Sequence, residues 1–247
     1  MGSGDTTIED VVALQKKGAA LIVVHGGGSS VTDWLKRLGV TTKFVKGERV
    51  TDLPILEVAT AVLAGLVNKE ITAAINLKGG KAVGISGADG ALIESGVKDK
   101  EMGWVGSVEK VNTALLEVLL KAGFVPVVSP ISLLSIDRPD DAPMLINVNG
   151  DPIAGDIAVA MKAKRLVYLT DVPGVNDKEG KLISRLSAQE AEAMIASGEI
   201  VGGMIPKINA CLKALKAGAV ARIIDGRKPH ALMGEIEGGN GGTTIIK

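Results

Sequence analysis

The stretch LIVVHGGGSS, residues 21–30, constrains the fold more tightly than any other. Its aliphatic run, with β-branched residues in it, reads as a strand covered on both faces. Three glycines then strip the side chains from the strand's carboxyl end. Val31, Trp34, Leu35 and Leu38 follow at i, i+3, i+4 and i+7, the stripe of an amphipathic helix. Strand, bare loop and helix in that order expose backbone N–H groups and a positive helix end to any anion that settles there. The same order also serves as a tight βα turn with no ligand, so the glycines alone do not decide between the two.

The rest of the chain repeats the alternation. Helical periodicity covers 8–17, 31–38, 54–77, 111–122, 152–163 and 206–217, and short aliphatic strands lie between, among them 20–24, FVPVVSP and RLVYLT. KAVGISGADGALIES predicts two strands joined as a hairpin through GADG. SAQEAEAMIASG predicts a helix opened by a capping box of Ser187 and Glu190. The pattern predicts an α/β fold, a three-layer αβα sandwich around an open, mainly parallel sheet. No linker separates domains, so the boundary between an amino-terminal lobe (1–163) and a carboxyl-terminal lobe (164–247) is expected inside a continuous sheet near Ala163.

Composition excludes several functions. Formal net charge is zero and aromatics are 2%, which argues against nucleic acid and anionic membrane as partners. The apolar runs, such as 18–24, are too short to span a bilayer, and no secretory segment opens the chain. One cysteine, Cys211, gives no disulfide and points to a cytoplasmic setting, while His25 and His230 have no carboxylate pattern around them that would make a metal site. The 32 glycines gather at strand ends rather than in repeats and read as working loops.

Motif by motif, a Walker-type loop is absent, G-x-G-x-x-G does not follow the first strand, and GISGA lacks the last glycine of a nucleophile elbow. Asp151 precedes Pro152 and an apolar helix, the pattern of an N-cap. Lys207 falls in the first turn of a helix, the unfavourable end for a cation unless an anion lies beside it. Asp171 ends a buried strand at a Pro-Gly turn, where ligands of parallel sheets collect. Glycine-loop donors, a lysine at one helix start and an aspartate at another suit phosphoryl transfer, whose catalysis is mostly positioning and charge stabilisation. No nucleophile or general base stands out, which fits an acceptor that is already an anion.

VVHGGG, GERVTD, GLVNKEI, KAVGISGADG, NVNGD, LTDVPGV, GGMIPK and RIIDGRKPH, in this order, resemble the amino acid kinase family over nearly the whole chain. The carboxyl-terminal motifs are most similar to the branch that phosphorylates N-acetyl-L-glutamate. The resemblance implies an amino-terminal lobe for the amino acid and a carboxyl-terminal lobe for ATP, with Mg²⁺ accompanying the nucleotide. It implies transfer of phosphate to the side-chain carboxylate of N-acetyl-L-glutamate, a step of arginine biosynthesis. By motif, Gly27 and Gly28 hold the substrate and the phosphoryl group, Arg49 grips the α-carboxylate, and Asn147 contacts the substrate. Asp151 organises the lysines, Lys207 stabilises the transition state, and Thr170, Asp171, Val172, Pro173, Gly174 and Val175 line the nucleotide site.

Members of this family begin with a strand ending in Lys-x-Gly-Gly, whereas this chain opens MGSGDTTIEDVV and enters a helix directly. The expectation is a start set too late, with an extended chain far more active; an impaired, nucleotide-binding form is the alternative. A carrier-linked aminoadipate kinase of lysine biosynthesis is a further alternative, and Glu48 departs from the apolar residue common at its position. A homodimer without arginine control is expected.

Overall fold

The computed structural model describes residues 6–45, 48–135, 137–239 and 241–247. Met1–Asp5, on which the expectation about the chain start bears, and Gly47 of GERVTD lie outside the described residues. The chain divides into two compact units. One is Ala20–Ile153; the other joins Ala154–Lys247 to the segment ending at Ala19, and so contains helix α1 (Thr7–Lys16).

The first unit opens on β1 (Val23–Val24) and α2 (Gly28–Arg37), then the antiparallel pair β2 (Phe44–Val45) and β3 (Glu48–Arg49). A helical run follows, made of α3 (Leu53–Thr60), a π-helical segment (Ala61–Val67) and α4 (Asn68–Leu77). Asp52 caps its start by accepting from the Ile55 N–H at 2.9 Å, with Pro54 in the first turn where its missing N–H costs nothing. Next come β4 (Ala82–Ser86), β5 (Ile93–Val97), β6 (Val105–Val111), α5 (Ala114–Lys121), β7 (Val125–Ser129), β8 (Ile131–Leu134) and β9 (Leu145–Val148). Helix α6 (Gly150–Ala160) leads out of the unit.

Strands β1, β7 and β4 form a parallel sheet with β7 in the middle. VPVVS is buried at every position, which is why it reads as a continuous apolar run instead of an alternating one. Strands β5, β6, β9 and β8 close into a small barrel. The α2 helix and the long helical run share a core of Val31, Leu35, Ile55, Val62, Leu63 and Ile131.

The second unit contains β10 (Arg165–Thr170), β11 (Arg185–Ser187), α7 (Ala188–Ala196), α8 (Met204–Lys216), β12 (Val220–Asp225), α9 (Ala231–Ile236) and β13 (Thr243–Ile246). Its sheet order is β10-β12-β13-β11, with β10 and β12 parallel over six residue pairs. Helix α8 buries Ile208, Cys211 and Ala214 against Leu166, Tyr168 and Ile223. Helix α1 is tied to α9 through Asp10, whose carboxylate accepts from His230 Nδ1 at 2.7 Å and from the Met233 N–H at 3.1 Å. The Ser187–Glu190 capping box is present as the sequence predicts.

The mixed α/β class with parallel sheets holds, but several details differ from the sequence pattern. Among the described residues, hydrogen bonding groups the strands into β1-β7-β4 and the β2-β3 pair in the first unit, β10-β12-β13-β11 in the second, and the barrel of β5, β6, β9 and β8. Aliphatic strands report burial, not partners; among the described residues β1 pairs over two residues with β7 alone, and β10 with β12 alone. The predicted hairpin through GADG does not form. The Asp89 carboxylate accepts from the Ser86 N–H at 2.6 Å and its hydroxyl at 2.7 Å, and the turn delivers β5 into the barrel. The compact units meet in sequence at Ile153/Ala154, within α6, and α1 goes with the carboxyl-terminal unit.

Asp151 is not the N-cap of its helix. Helix α6 begins at Gly150, the Asn149 side chain accepts from the Asp151 N–H at 3.0 Å, and Asp151 lies in the first turn. Lastly, one run does reach membrane-spanning length: Leu53–Leu77 is 25 residues with a mean hydropathy of 1.4. It buries Ile55, Leu56, Ala59, Val62, Leu63 and Ile75 within its own unit and carries Glu57, Lys69 and Glu70, which is the pattern of an amphipathic core helix.

Candidate active site

In the first unit, the glycine loop lies where two helices begin. Gly27 is the N-cap of α2 with φ of 141°, a conformation closed to most side chains. Gly150, the first residue of α6, comes so close that a Cβ on it would stand 3.1 Å from the His25 carbonyl oxygen. Two helix N-termini therefore border one side-chain-free loop, and an anion is favoured there by both dipoles. A Cβ on Gly27 would stand 2.7 Å from Leu63 Cδ2, so the π-helical segment closes the loop from another side. Such π-turns recur at functional sites because they rotate the residues beyond them off the regular helical stripe.

Arg49 reaches this loop from β3. Its Nη2 donates to the Gly28 carbonyl at 3.0 Å and to Thr32 Oγ1 at 2.7 Å, and its guanidinium stacks 4.8 Å from the Phe44 ring centroid. Nη1 is buried and has no hydrogen-bond partner among the described residues. A buried, charge-bearing donor left without a partner is costly, and a carboxylate is the ligand that relieves it in a fork geometry. Burial lowers the Arg49 pKa, yet the group remains a cation at neutral pH. Asn147 lies half-buried on β9, and its side chain makes no hydrogen bond among the described residues. Gly27, Gly28 and Arg49 are thus brought together directly, and Asp151 sits in the first turn of the α6 helix that borders the loop.

His25, Asn68 and Lys69 adjoin the glycine loop in this unit, although the sequence assigned them no role. His25 Nδ1 lies 2.7 Å from the Gly26 carbonyl oxygen and Nε2 lies 3.2 Å from Asn68 Nδ2. Asn68 also donates to Val127 O at 2.8 Å and Ile85 O at 3.2 Å, and accepts from Lys69 Nζ at 3.0 Å. Burial pushes the His25 imidazole below its ordinary pKa, opposed only in part by the Gly26 carbonyl. VVHGGG and GLVNKEI were the signals that contained these residues; nothing in sequence marked Phe44.

In the second unit, the carboxyl ends of β10 and β12 lie side by side, with Thr170 opposite Asp225. Thr170 Oγ1 donates toward Val172 O at 2.8 Å and Ile224 O at 3.1 Å, which pins the start of the 170–175 loop. Its end is pinned by Thr243, whose Oγ1 accepts from the Val175 N–H at 2.9 Å; Gly174, at φ 151°, is packed so tightly on the same hydroxyl that a Cβ would clash at 2.6 Å. Asp171, Val172 and Pro173 between these anchors are exposed. Asp225 holds Arg227 through two bonds of 2.8 Å, which pull its carboxyl down to about 2. Pro173 and Asp225 also line a cavity of about 230 Å³. Lys207 sits in the first turn of α8 with Nζ 3.5 Å from the Gly203 carbonyl.

The profile of the amino acid kinase family matches residues 4–225. The chain belongs to the amino acid kinase family. Acetylglutamate kinase of Dehalococcoides mccartyi is 50% identical to it over 246 residues, spanning 100% of this chain and 90% of that one. Among solved structures, a Streptococcus mutans UA159 protein superposes with a TM-score of 0.84 at 25% identity, covering 97% of this chain and 91% of its own. N-acetylglutamate synthase from Neisseria gonorrhoeae, solved with coenzyme A and N-acetyl-glutamate, gives a TM-score of 0.84 at 27% identity, with 100% of this chain matched to 57% of that one. For an amino acid kinase, the orphaned Arg49 donor beside a glycine loop is the feature that most directly asks for a carboxylate ligand.

Proposed function

We propose that this amino acid kinase transfers the γ-phosphoryl group of ATP to the side-chain carboxylate of N-acetyl-L-glutamate. A carboxylate oxygen forms the new bond to phosphorus, the bond from phosphorus to the bridging oxygen breaks, and ADP leaves, giving an acyl phosphate. Identity of 50% with an acetylglutamate kinase along the full chain carries the assignment, and it gives no support to an aminoadipate substrate. The acceptor is already anionic, so no general base is needed, and the protein's work is to hold two anions together and spread the charge.

The roles follow from chemistry. Arg49, steered by Gly28, Thr32 and Phe44, offers its remaining donor to the α-carboxylate. Asn147 contacts the substrate's polar groups. Backbone N–H groups of Gly27 and Gly28 hold the transferring phosphoryl oxygens. Lys207 stabilises charge in the transition state and Asp151 orients the cationic groups. Residues Thr170, Asp171, Val172, Pro173, Gly174 and Val175 take the nucleotide, with 171–173 exposed between two anchored ends. Among the described residues no group of three or more His, Cys, Asp or Glu comes together as a metal cage; Mg²⁺ is carried on the ATP phosphates, as is common for this ion.

The working form is a cytoplasmic homodimer that engages neither nucleic acid nor membrane. Its support is the zero net charge and the exposed Leu53, Leu66 and Leu77 along the long helical run, apolar surface that suits a second copy. The catalytic assignment is tested by trapping acyl phosphate as hydroxamate. Arg49→Lys keeps the charge but loses the fork, so KM for N-acetyl-L-glutamate rises by about tenfold or more with KM for ATP unchanged. A wild-type chain that forms no hydroxamate, or a lysine variant with unchanged KM, refutes it.

A further inference from the structure

A Gly-Gly peptide has no side chain on either side to hold its plane, so the loop needs an outside lock if its N–H groups are to keep one direction. His25 supplies one. It directly follows β1, its own N–H donates to Val128 O at 3.2 Å, and the residue is 8% exposed. The Gly26 carbonyl can only accept, so Nδ1, 2.7 Å away, carries the proton. Nε2 is then the acceptor of the bond from Asn68 Nδ2. The amide orientation is set independently of His25, because the same nitrogen faces the Val127 and Ile85 carbonyls while the oxygen receives Lys69 Nζ. The nitrogen has two protons for three acceptors, so one of them is shared.

The Gly26 carbonyl and the Gly27 N–H belong to one trans peptide and point in opposite directions across it. Holding that carbonyl on the His25 ring therefore aims the Gly27 N–H away from the ring. We propose that His25 is a positioning residue for phosphoryl transfer: as the Nδ1–H tautomer it fixes the Gly26–Gly27 peptide so that the Gly27 N–H faces the transferring group. This rests on the function proposed above. Asn68 selects the tautomer, and it occupies the place where the π-helical segment passes back into α-helix. Gly84 makes room for the arrangement, since a Cβ there would stand 2.1 Å from Asn68 Oδ1. The charged group of the network is Lys69, which donates to Asn68 Oδ1 and to Gly84 O. Burial of the ring acts against an imidazolium.

The full chain serves for two experiments. Long-range ¹H–¹⁵N spectra of the wild type report tautomer and titration for both histidines in one sample. His25 is expected to remain neutral with Nδ1 protonated while His230 titrates; an Nε2–H tautomer, or protonation of His25 alongside His230, overturns the proposal. In the hydroxamate assay, His25→Gln cannot place a donor at the Nδ1 position and lowers kcat by up to about 100-fold, the lower end of what loss of one transition-state donor costs, with KM for ATP unchanged. His25→Asn retains a donor near that position and restores kcat toward wild type. Turnover by wild type with kcat unchanged in His25→Gln, or Asn no better than Gln, overturns the positioning role alone. A wild type without turnover overturns the role together with the function it serves.

Discussion

Replacing Gly27 with alanine tests the loop geometry most severely. At φ of 141° a residue with a Cβ is strained by about 1–3 kcal/mol. The new methyl also meets Leu63 Cδ2 at 2.7 Å, and Leu63 is 4% exposed and packed in the α2 core, so any shift of it disturbs that packing. Overpacking of this kind costs about 1–3 kcal/mol. The sum, about 2–6 kcal/mol, is a large part of the 5–15 kcal/mol that an ordinary domain possesses. Gly28→Ala is the internal control. Nothing lies within 4 Å of its Cβ position and it is the first residue of α2, where alanine is welcome, so its stability stays within about 0.5 kcal/mol of wild type. Urea unfolding of both variants, followed by circular dichroism, gives the comparison. Leu63→Ala combined with Gly27→Ala should show a coupling of about 1 kcal/mol or more, because it removes the clashing atom. Equal midpoints for the two glycine variants would refute the steric reasoning.

Two pH experiments follow from the ion pairs of the second unit. Hydrogen bonding to Asp10 raises the His230 pKa, so this pair stabilises fully below the ordinary histidine value and is lost as pH rises through the raised one. The Tm deficit of Asp10→Asn is thus larger at pH 6 than at pH 9, and a deficit independent of pH contradicts the pairing. Asp225 has the opposite sign: its pKa of about 2 means that the Arg227 contact stabilises above the ordinary carboxylate value and is lost as pH falls toward 2. The Tm gap between wild type and Arg227→Ala therefore narrows between about pH 4 and pH 2, and a gap that stays constant across that window rejects the assignment.

Much of the site is visible in the sequence because its parts are local. A glycine run after an aliphatic strand, a lysine in a helix's first turn and an aspartate at a strand end each sit within a few residues of the structure that defines them. Gly27 as the N-cap of α2 and Lys207 in the first turn of α8 are found where those patterns put them. Arg49 is different. On its own it passes for a surface charge, and only its stack on Phe44 and its bonds to Gly28 and Thr32 reveal a guanidinium with one donor kept back. His25 likewise shows as a histidine in a motif, while its proton position depends on Asn68, 43 residues away.

By itself the sequence determined the α/β class, most of the helices, the Ser187–Glu190 capping box and the places where bare backbone meets a helix start, since burial and periodicity are written into neighbouring residues. Tertiary structure alone decided which strands pair. A short strand such as β5 is equally content beside β4 or inside a barrel, and the Asp89 turn and the partners β6 and β8 settle the matter. It also decided the π-helical register that brings Asn68 beneath the glycine loop. An inserted helical residue leaves the apolar pattern almost unchanged, yet it rotates every side chain beyond it, and only contacts with β4, β7 and His25 fix where that rotation ends.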